Sequence, residues 1–168
     1  GGDGGSNGDG GRVTVENTGD ITTVGGGSAS IFAQSIGGGG GAVGGHGGTS
    51  NSPFFTLGGN GASGGSGKEV TVNNSGNLET SGIASSAILA QSVGGGGGVG
   101  GAAYDNGLFF ALAMGGDSTL GGNGGQVDVE SGDSSIITSG ASSHGIHAQS
   151  LGGGGGSGGN VYNLILGL

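Results

Sequence analysis

Cysteine is absent from this chain, and the residues that usually build compact cores are scarce. Without cysteine there is neither a disulfide scaffold nor a thiolate metal site. Aromatic residues make up 4% of the chain and hydrophobic residues 30%, which is too little for a conventional globular core. No stretch approaches 18 consecutive apolar residues, and no basic start precedes an apolar run, so the sequence predicts no membrane span and no signal peptide.

Positive charge is almost missing as well. Two basic residues stand against eleven acidic ones, which gives a formal net charge of −9. Such a surface repels phosphate backbones and anionic lipid headgroups, so we expect neither nucleic-acid binding nor direct membrane insertion of this fragment. The chain opens without methionine and stops inside a repeat, so we expect it to be a piece of a longer protein.

Glycine is present in excess, at 53 of 168 residues. Collagen is excluded because the glycines come in runs and not at every third position, and because Pro53 is the sole proline. A disordered Gly/Ser-rich coil is the open alternative. Apolar patches that return at fixed offsets argue against disorder.

One phrase defines an internal repeat. Ala-Gln-Ser, an aliphatic residue and five glycines begin at Ala33, Ala90 and Ala148, so the repeat advances by a step of 57 and then a step of 58. We therefore expect one continuous array of three units. The units are residues 1–57, residues 58–120 and the truncated residues 121–168.

Alternation of apolar and polar residues predicts strands with one buried face, as at Val13 and Val15. Apolar stretches near Val13, Ile31, Phe54 and Val70 follow one another at steps of 18, 23 and 16, about 19 on average. This spacing predicts an all-β, right-handed parallel β-helix, or β-solenoid, with about three rungs per unit. At roughly 4.8 Å per rung, eight or nine rungs make a rod about 40 Å long.

Alternation also predicts which side chains face the core of this β-helix. The inward set is Val13, Val15, Ile31, Ala33, Phe54 and Thr56, and the outward set is Thr14, Glu16, Phe32 and Gln34.

Two sets of residues define the repeat structurally: Gln34, Gln91 and Gln149, and Gly37, Gly94 and Gly152. The glutamine amides are expected to bond to polar groups on neighbouring rungs. They are not expected to reach one another, because three rungs separate them by roughly 14 Å. The five-glycine runs are interpreted as ordered, closely packed backbone, with a mobile loop as the alternative.

Phenylalanine pairs at 54–55 and 109–110 are expected to supply rung core. If one member of each pair faces outward, Phe55 and Phe110 form a contact surface between rods.

Short motifs suggest no catalytic, cofactor or metal site. Gly61-Ala62-Ser63-Gly64-Gly65 fits a nucleophile elbow, but no helix is available to complete it. Segments that begin like calcium-binding nonapeptides lack the liganding aspartate, so Asp3, Asp9, Asp117 and Asp133 are expected to be turn carboxylates, with a weak surface ion as the alternative. His144 and His147 lack the spacing of a helical zinc pair.

The combination of Ala-Gln-Ser-Ile-Gly-Gly-Gly-Gly-Gly with a preceding Val-Thr-Val-x-Asn-x-Gly resembles glycine-rich repeats of bacterial autotransporter passenger regions. The resemblance covers residues 12 to 166. It implies a surface-displayed β-helix exported through an outer-membrane β-barrel translocator, and in many members an adhesin.

These observations together predict a non-enzymatic structural or adhesive segment of a bacterial cell-surface or secreted fibre. Homotypic fibre contacts or surface glycans are the expected partners, and the expected location is extracellular. A carbohydrate- or ice-binding β-solenoid is the alternative, and a polysaccharide-degrading β-helix is the third class. Tyr104 and Tyr162 are the candidate aromatics for sugar binding.

Overall fold

The structure, a computed structural model, describes residues 2–5, 7–43, 47–50, 56–107 and 112–165. Its described residues form fourteen short strands and no helix. The strands are β1 (Val13–Asn17), β2 (Ile21–Thr23), β3 (Ile31–Ile36), β4 (Gly47–Ser50), β5 (Thr56–Leu57), β6 (Val70–Asn74), β7 (Leu78–Thr80), β8 (Ile88–Val93), β9 (Ala103–Gly107), β10 (Ala113–Met114), β11 (Val127–Ser131), β12 (Ile136–Thr138), β13 (Ile146–Leu151) and β14 (Val161–Ile165).

All pairing among these strands is parallel, and each strand pairs with its counterpart in the next repeat. Val13 pairs with Val70, and Val70 pairs with Val127, so that the same residue types lie directly above one another. Five sheets result: β1-β6-β11, β2-β7-β12, β3-β8-β13, β4-β9-β14 and β5-β10. The prediction of an all-β fold with parallel strands is confirmed.

The predicted three rungs per unit are wrong. Paired strands lie one full repeat apart, at a step of 57 or 58 everywhere except at the irregular β4–β9 pair. No strand pairs with another strand of its own repeat among the described residues. One repeat therefore contributes one layer of roughly 4.8 Å, and three layers are about 14 Å deep instead of the predicted 40 Å. The spacing of about 19 residues seen in the sequence separates successive strands of the same layer, and these strands belong to different sheets.

The core lies along the inward rows of three sheets and is most complete in the middle repeat. Val70, Val72, Leu78 and Ile88 are each at most 1% exposed, because layers cover them on both sides. Most equivalent residues of the outer layers, such as Val13 and Val127, are only partly buried, whereas Ile31 is 5% exposed. The core contains few large side chains, and continuous backbone hydrogen bonds between layers also hold the fold together.

The predicted inward and outward directions are confirmed where side chains are described. Ile31, Ala33 and Thr56 are buried, while Phe32 and Gln34 are exposed. Phe54 lies outside the described residues.

Asparagine side chains close the turns after the first sheet. The Asn74 side-chain amide donates to the carbonyl oxygen of Gly76 at 2.8 Å, and Asn17 donates to the carbonyl oxygen of Gly19 at 2.7 Å. Asn17 Nδ2 also donates to Asn74 Oδ1 at 2.7 Å, so successive turns are linked. In the third repeat the extra residue lies in this turn, since Leu78 pairs with Ile136 after a step of 58 while the preceding strand keeps a step of 57.

Candidate functional site

Two glycine-rich segments of each repeat carry no strand and lie against each other. The leading segments precede β1, β6 and β11, and the trailing segments follow β3, β8 and β13. Leading segments are residues 2–5 with 7–12, residues 58–69 and residues 115–126. Trailing segments are residues 37–43, 94–102 and 152–160.

Backbone hydrogen bonds in these segments repeat every third residue. Gly94, Gly97 and Gly100 donate to the next repeat, each at 2.8 Å, while the residues that follow them donate to the leading segment of their own repeat. The third residue of each triplet, such as Gly96 or Val99, faces solvent. The cross-segment pairs are Gly95 to Gly65 at 2.8 Å, Gly98 to Ala62 at 2.9 Å and Gly101 to Gly59 at 2.8 Å.

A period of three with no internal hydrogen bonds is the geometry of an extended polyproline II helix. Glycine helices of this type pack side by side through backbone bonds, the polyglycine II arrangement. Among the described glycines only Gly27 has a positive φ, at 70°. The runs therefore do not need glycine for a left-handed conformation.

Close approach of backbones is what requires glycine here. A Cβ on Gly95 would collide with the carbonyl oxygen of Gly38, and one on Gly98 would collide with that of Gly41. A Cβ on Gly96 would meet its nearest atom at 3.8 Å, an ordinary contact. In the middle repeat two positions in each triplet are thus restricted to very small residues, and the third is free.

One hydrogen-bond chain crosses all three repeats by alternating between the two kinds of segment. Gly38 donates to Gly8 at 3.0 Å, and Gly65 donates to Gly38 at 2.8 Å. The chain continues through Gly95, Gly122 and Gly153 with distances of 2.8, 2.7 and 2.8 Å. We call the packed leading and trailing segments the glycine lattice. Its hydrogen bonds support the interpretation of the five-glycine runs as ordered backbone. Gly37, Gly94 and Gly152 are the first residues of the trailing segments.

Outward side chains of the leading segments cap backbone N–H groups of the next layer. The backbone N–H of Asn60 donates to Asp3 Oδ1 at 2.9 Å, and that of Ser66 donates to Asp9 Oδ1 at 2.8 Å. Asp117 N–H in turn donates to Asn60 Oδ1 at 2.9 Å. Asp3 and Asp9, which were considered for calcium, therefore act as backbone caps, and the described residues include no group of three or more acidic, histidine or cysteine residues placed to hold a metal ion.

The three repeat-defining glutamines form a ladder on the outer face of the β3-β8-β13 sheet. Gln34 Nε2 donates to Gln91 Oε1 at 3.0 Å, and Gln91 Nε2 donates to Gln149 Oε1 at 3.1 Å. The expectation that these amides cannot reach one another is wrong. It failed because successive glutamines are one layer apart and not three.

Both basic residues pair with an acid of the adjacent repeat. Lys68 Nζ lies 2.6 Å from Asp9 Oδ2, and Arg12 lies 3.0 Å from Glu69 Oε2. The hydrogen bond from Lys68, the Ser66 N–H and the charge of Lys68 hold the pKa of Asp9 below its usual value. The chain's two cations are thus committed to contacts between layers.

The two candidate sugar-binding tyrosines contact each other, and so do the two histidines of the third repeat. Tyr104 and Tyr162, which lie in adjacent layers, stack with ring centroids 4.9 Å apart, and Tyr162 is 52% exposed. His144 and His147 meet edge to face with centroids 5.6 Å apart. Phe55 and Phe110 lie outside the described residues.

Acidic residues border an open depression on the outer face of the β1-β6-β11 sheet. Its lining includes Glu69, Asp128 and Glu130. Gln126 donates to both carboxylate oxygens of Asp128, and Arg12 pairs with Glu69. These contacts hold two of the three carboxylates in structural hydrogen bonds or ion pairs.

Asp105 on β9 is a buried acid that sequence analysis did not single out. It is 1% exposed, and its Oδ2 accepts the Leu112 N–H at 3.2 Å. Its Oδ1 has no hydrogen-bond partner within the described part of the chain. Its sequence context, between polar residues of an irregular strand, gives no signal of burial.

No protein-family model, no curated protein and no solved structure matches this chain. Among the described residues, no helix has the length and hydropathy needed to cross a membrane.

Proposed function

We propose that this chain is a structural segment of a bacterial cell-surface or secreted fibre, wound as a right-handed parallel β-solenoid with one coil per repeat. The observation that carries the proposal is that the sheets share one pairing pattern: each strand pairs with the strand one full repeat away. Chains that stack identical layers can be extended by adding repeats. The handedness follows the strong preference of parallel strand connections.

Display of outward side chains is the proposed mechanism. Each outward position becomes a row, with one side chain per layer at a spacing of roughly 4.8 Å. Rows of this kind multiply weak contacts with a surface that is itself repetitive. The free third residue of each glycine triplet extends this display across the lattice.

The resemblance to autotransporter passenger regions supports an extracellular location and an adhesive role. It also supports export through an outer-membrane translocator carried by the longer protein. Labelling of intact cells of the source bacterium with an antibody to this chain tests the location. Signal only after permeabilisation would contradict it.

A length series tests the scaffold itself. Chains with three, five and seven layers, made by repeating residues 70–126, should lengthen by about 4.8 Å per added layer at constant cross-section in small-angle X-ray scattering. Scattering typical of a flexible coil, or a cross-section that grows with repeat number, would refute the solenoid.

Binding of neutral carbohydrate is the second candidate function, because the stacked Tyr104 and Tyr162 rings form an exposed aromatic platform. Native gels containing soluble neutral polysaccharides should retard the protein, and Tyr162→Ala should abolish the retardation. Equal mobility of both proteins would eliminate this candidate.

A further inference from the structure

Charge is divided unequally among the faces of the molecule. The chain has thirteen Asp, Glu, Lys and Arg residues, counted as eleven acidic plus two basic. None of them lies in the β3-β8-β13 sheet or in the trailing segments. This surface, which we call the neutral face, is a broad surface without carboxylates on a chain of net charge −9.

Five outward rows make up the neutral face. Two rows flank the glutamine ladder and are apolar except for His147, and Phe32 and Ile36 are 58% and 56% exposed. Beyond them the trailing segments add a glycine row and a row of small or aliphatic residues. The rows are Phe32, Leu89 and His147; Gln34, Gln91 and Gln149; Ile36, Val93 and Leu151; Gly39, Gly96 and Gly154; and Ala42, Val99 and Ser157.

The glycine row presents unused hydrogen-bond donors. Within the described residues, the backbone N–H groups of Gly39, Gly96 and Gly154 have no acceptor. At Asn60 and Ser66 in the leading segments, side-chain oxygens of the preceding layer occupy the outward N–H groups. The glycine row of the trailing segments has no side chains and supplies no such cap.

The glutamine row presents the matching acceptors. Each ladder bond uses one lone pair of an Oε1 atom, and an amide oxygen can accept a second hydrogen bond. Both rows have the layer spacing, so the donors of one copy can meet the acceptors of another in register. The bulky glutamine row also fits against a row without side chains.

We propose that the neutral face binds the same face of a second copy about a two-fold axis, with the glutamine row of each copy over the glycine row of the other. This inference deepens the proposed fibre function, on which it rests, by naming the homotypic partner. A two-fold interface needs a self-complementary surface, and the two halves of the neutral face provide one. The outer face of the β1-β6-β11 sheet, by contrast, would bring carboxylates such as Glu16 and Glu130 together.

The area is sufficient for a weak dimer. Strand residues span about 20 Å and trailing segments about 28 Å, and three layers are about 14 Å deep, which gives roughly 670 Å² per copy against about 800 Å² in a standard interface. Association should therefore strengthen with each added layer.

Sedimentation velocity over a concentration series tests the proposal with a matched pair of variants. Gly96→Asp adds a carboxylate to the neutral face, where its Cβ would contact no atom closer than 3.8 Å. Ser63→Asp adds the same charge at an exposed outward position of the leading segment in the same repeat. We expect Gly96→Asp to weaken the dimer by roughly 100-fold or more, and Ser63→Asp to leave it nearly unchanged.

A complementation experiment tests the proposed pairing of rows. Gln91→Lys alone should dimerise as poorly as Gly96→Asp, but a mixture of the two should form a 1:1 dimer, since one lysine then lies over one aspartate. Circular dichroism of each variant shows whether it remains folded, which separates a failed interface from a failed fold.

A wild-type chain that stays monomeric at several hundred micromolar would overturn the proposal. Dimerisation of Gly96→Asp at wild-type strength would do the same. Neither result would affect the length series, so the failure of the dimer and the failure of the scaffold remain distinguishable.

Discussion

The strand sheets and the glycine lattice solve the same stacking problem with different chemistry. In the sheets every second side chain faces the core, and residues such as Val72 and Ile88 pack against their equivalents in adjacent layers. In the middle repeat of the lattice about two of every three residues are covered with little or no side chain, and backbone hydrogen bonds run in two directions. A chain poor in large apolar residues can therefore still pack closely, because in the lattice the backbone takes the place that side chains have in the sheets.

A single methyl group in the glycine lattice should have the largest effect on stability. Gly95→Ala places a Cβ against the backbone carbonyl of Gly38, which no rotamer change can relieve. We expect a loss of about 4 kcal/mol or complete failure to fold, measured by urea unfolding. The adjacent Gly96→Ala should change the free energy of unfolding by less than about 1 kcal/mol, because its Cβ has space. Equal effects at both positions would refute the triplet rule.

A cavity in the sheets should cost less than a collision in the lattice. Ile88→Ala removes a fully buried side chain of the middle layer and should lower the free energy of unfolding by about 2–4 kcal/mol. Leu89→Ala, on the outward side of the same strand, is the control and should cost under about 1 kcal/mol. A larger loss at Leu89 would mean that the outer face is covered.

The glutamine ladder adds side-chain hydrogen bonds to the backbone hydrogen bonds of its sheet, and its contribution to stability should be smaller. A double-mutant cycle of Gln34→Ala and Gln91→Ala should give a coupling free energy of about 0.5–1 kcal/mol. Thr14→Ala with Gln91→Ala is the uncoupled control. A coupling energy of zero in the first cycle would show that the amides are solvated independently.

The smallest expected effect concerns pH. The folded pKa of Asp9 is lowered, first by the Lys68 hydrogen bond, so its stabilising contribution is present above the unfolded pKa and is lost as pH falls through the folded value. The urea midpoint of the wild type should therefore drop further on acidification than that of Lys68→Met. Both members of this ion pair are exposed, and the difference should shrink in high salt.

The sequence predicted the strands because alternation at Val13, Val15, Ile31 and Ala33 is a local signal of period two. It could not show which strands pair. The average spacing of about 19 residues between apolar stretches fits a coil of that length. Stacking of identical residues in register instead requires a coil of one full repeat. The longer coil explains why the predicted number of rungs and the predicted separation of the glutamines were both wrong.

The glycine lattice was readable in principle. Gly58-Gly59-Asn60, Gly64-Gly65-Ser66 and Gly121-Gly122-Asn123 already show two small residues followed by a free one. The runs of five glycines hide this period of three. Where glycine occupies a position that has space for a side chain, the sequence cannot distinguish it from a position that requires glycine. The Phe55 and Phe110 prediction stays a prediction.

The distance along the chain between paired residues has a consequence for how the protein folds. Ladder partners are 57 residues apart in a chain of 168, so each ladder contact spans about 0.34 of the chain length. The average contact in slow-folding β proteins spans only about 0.16–0.22 of the chain length. Closing the first two layers is therefore the slow, nucleating event. Every later layer then meets a finished template, so the molecule should grow from one seed in the order in which its repeats become available.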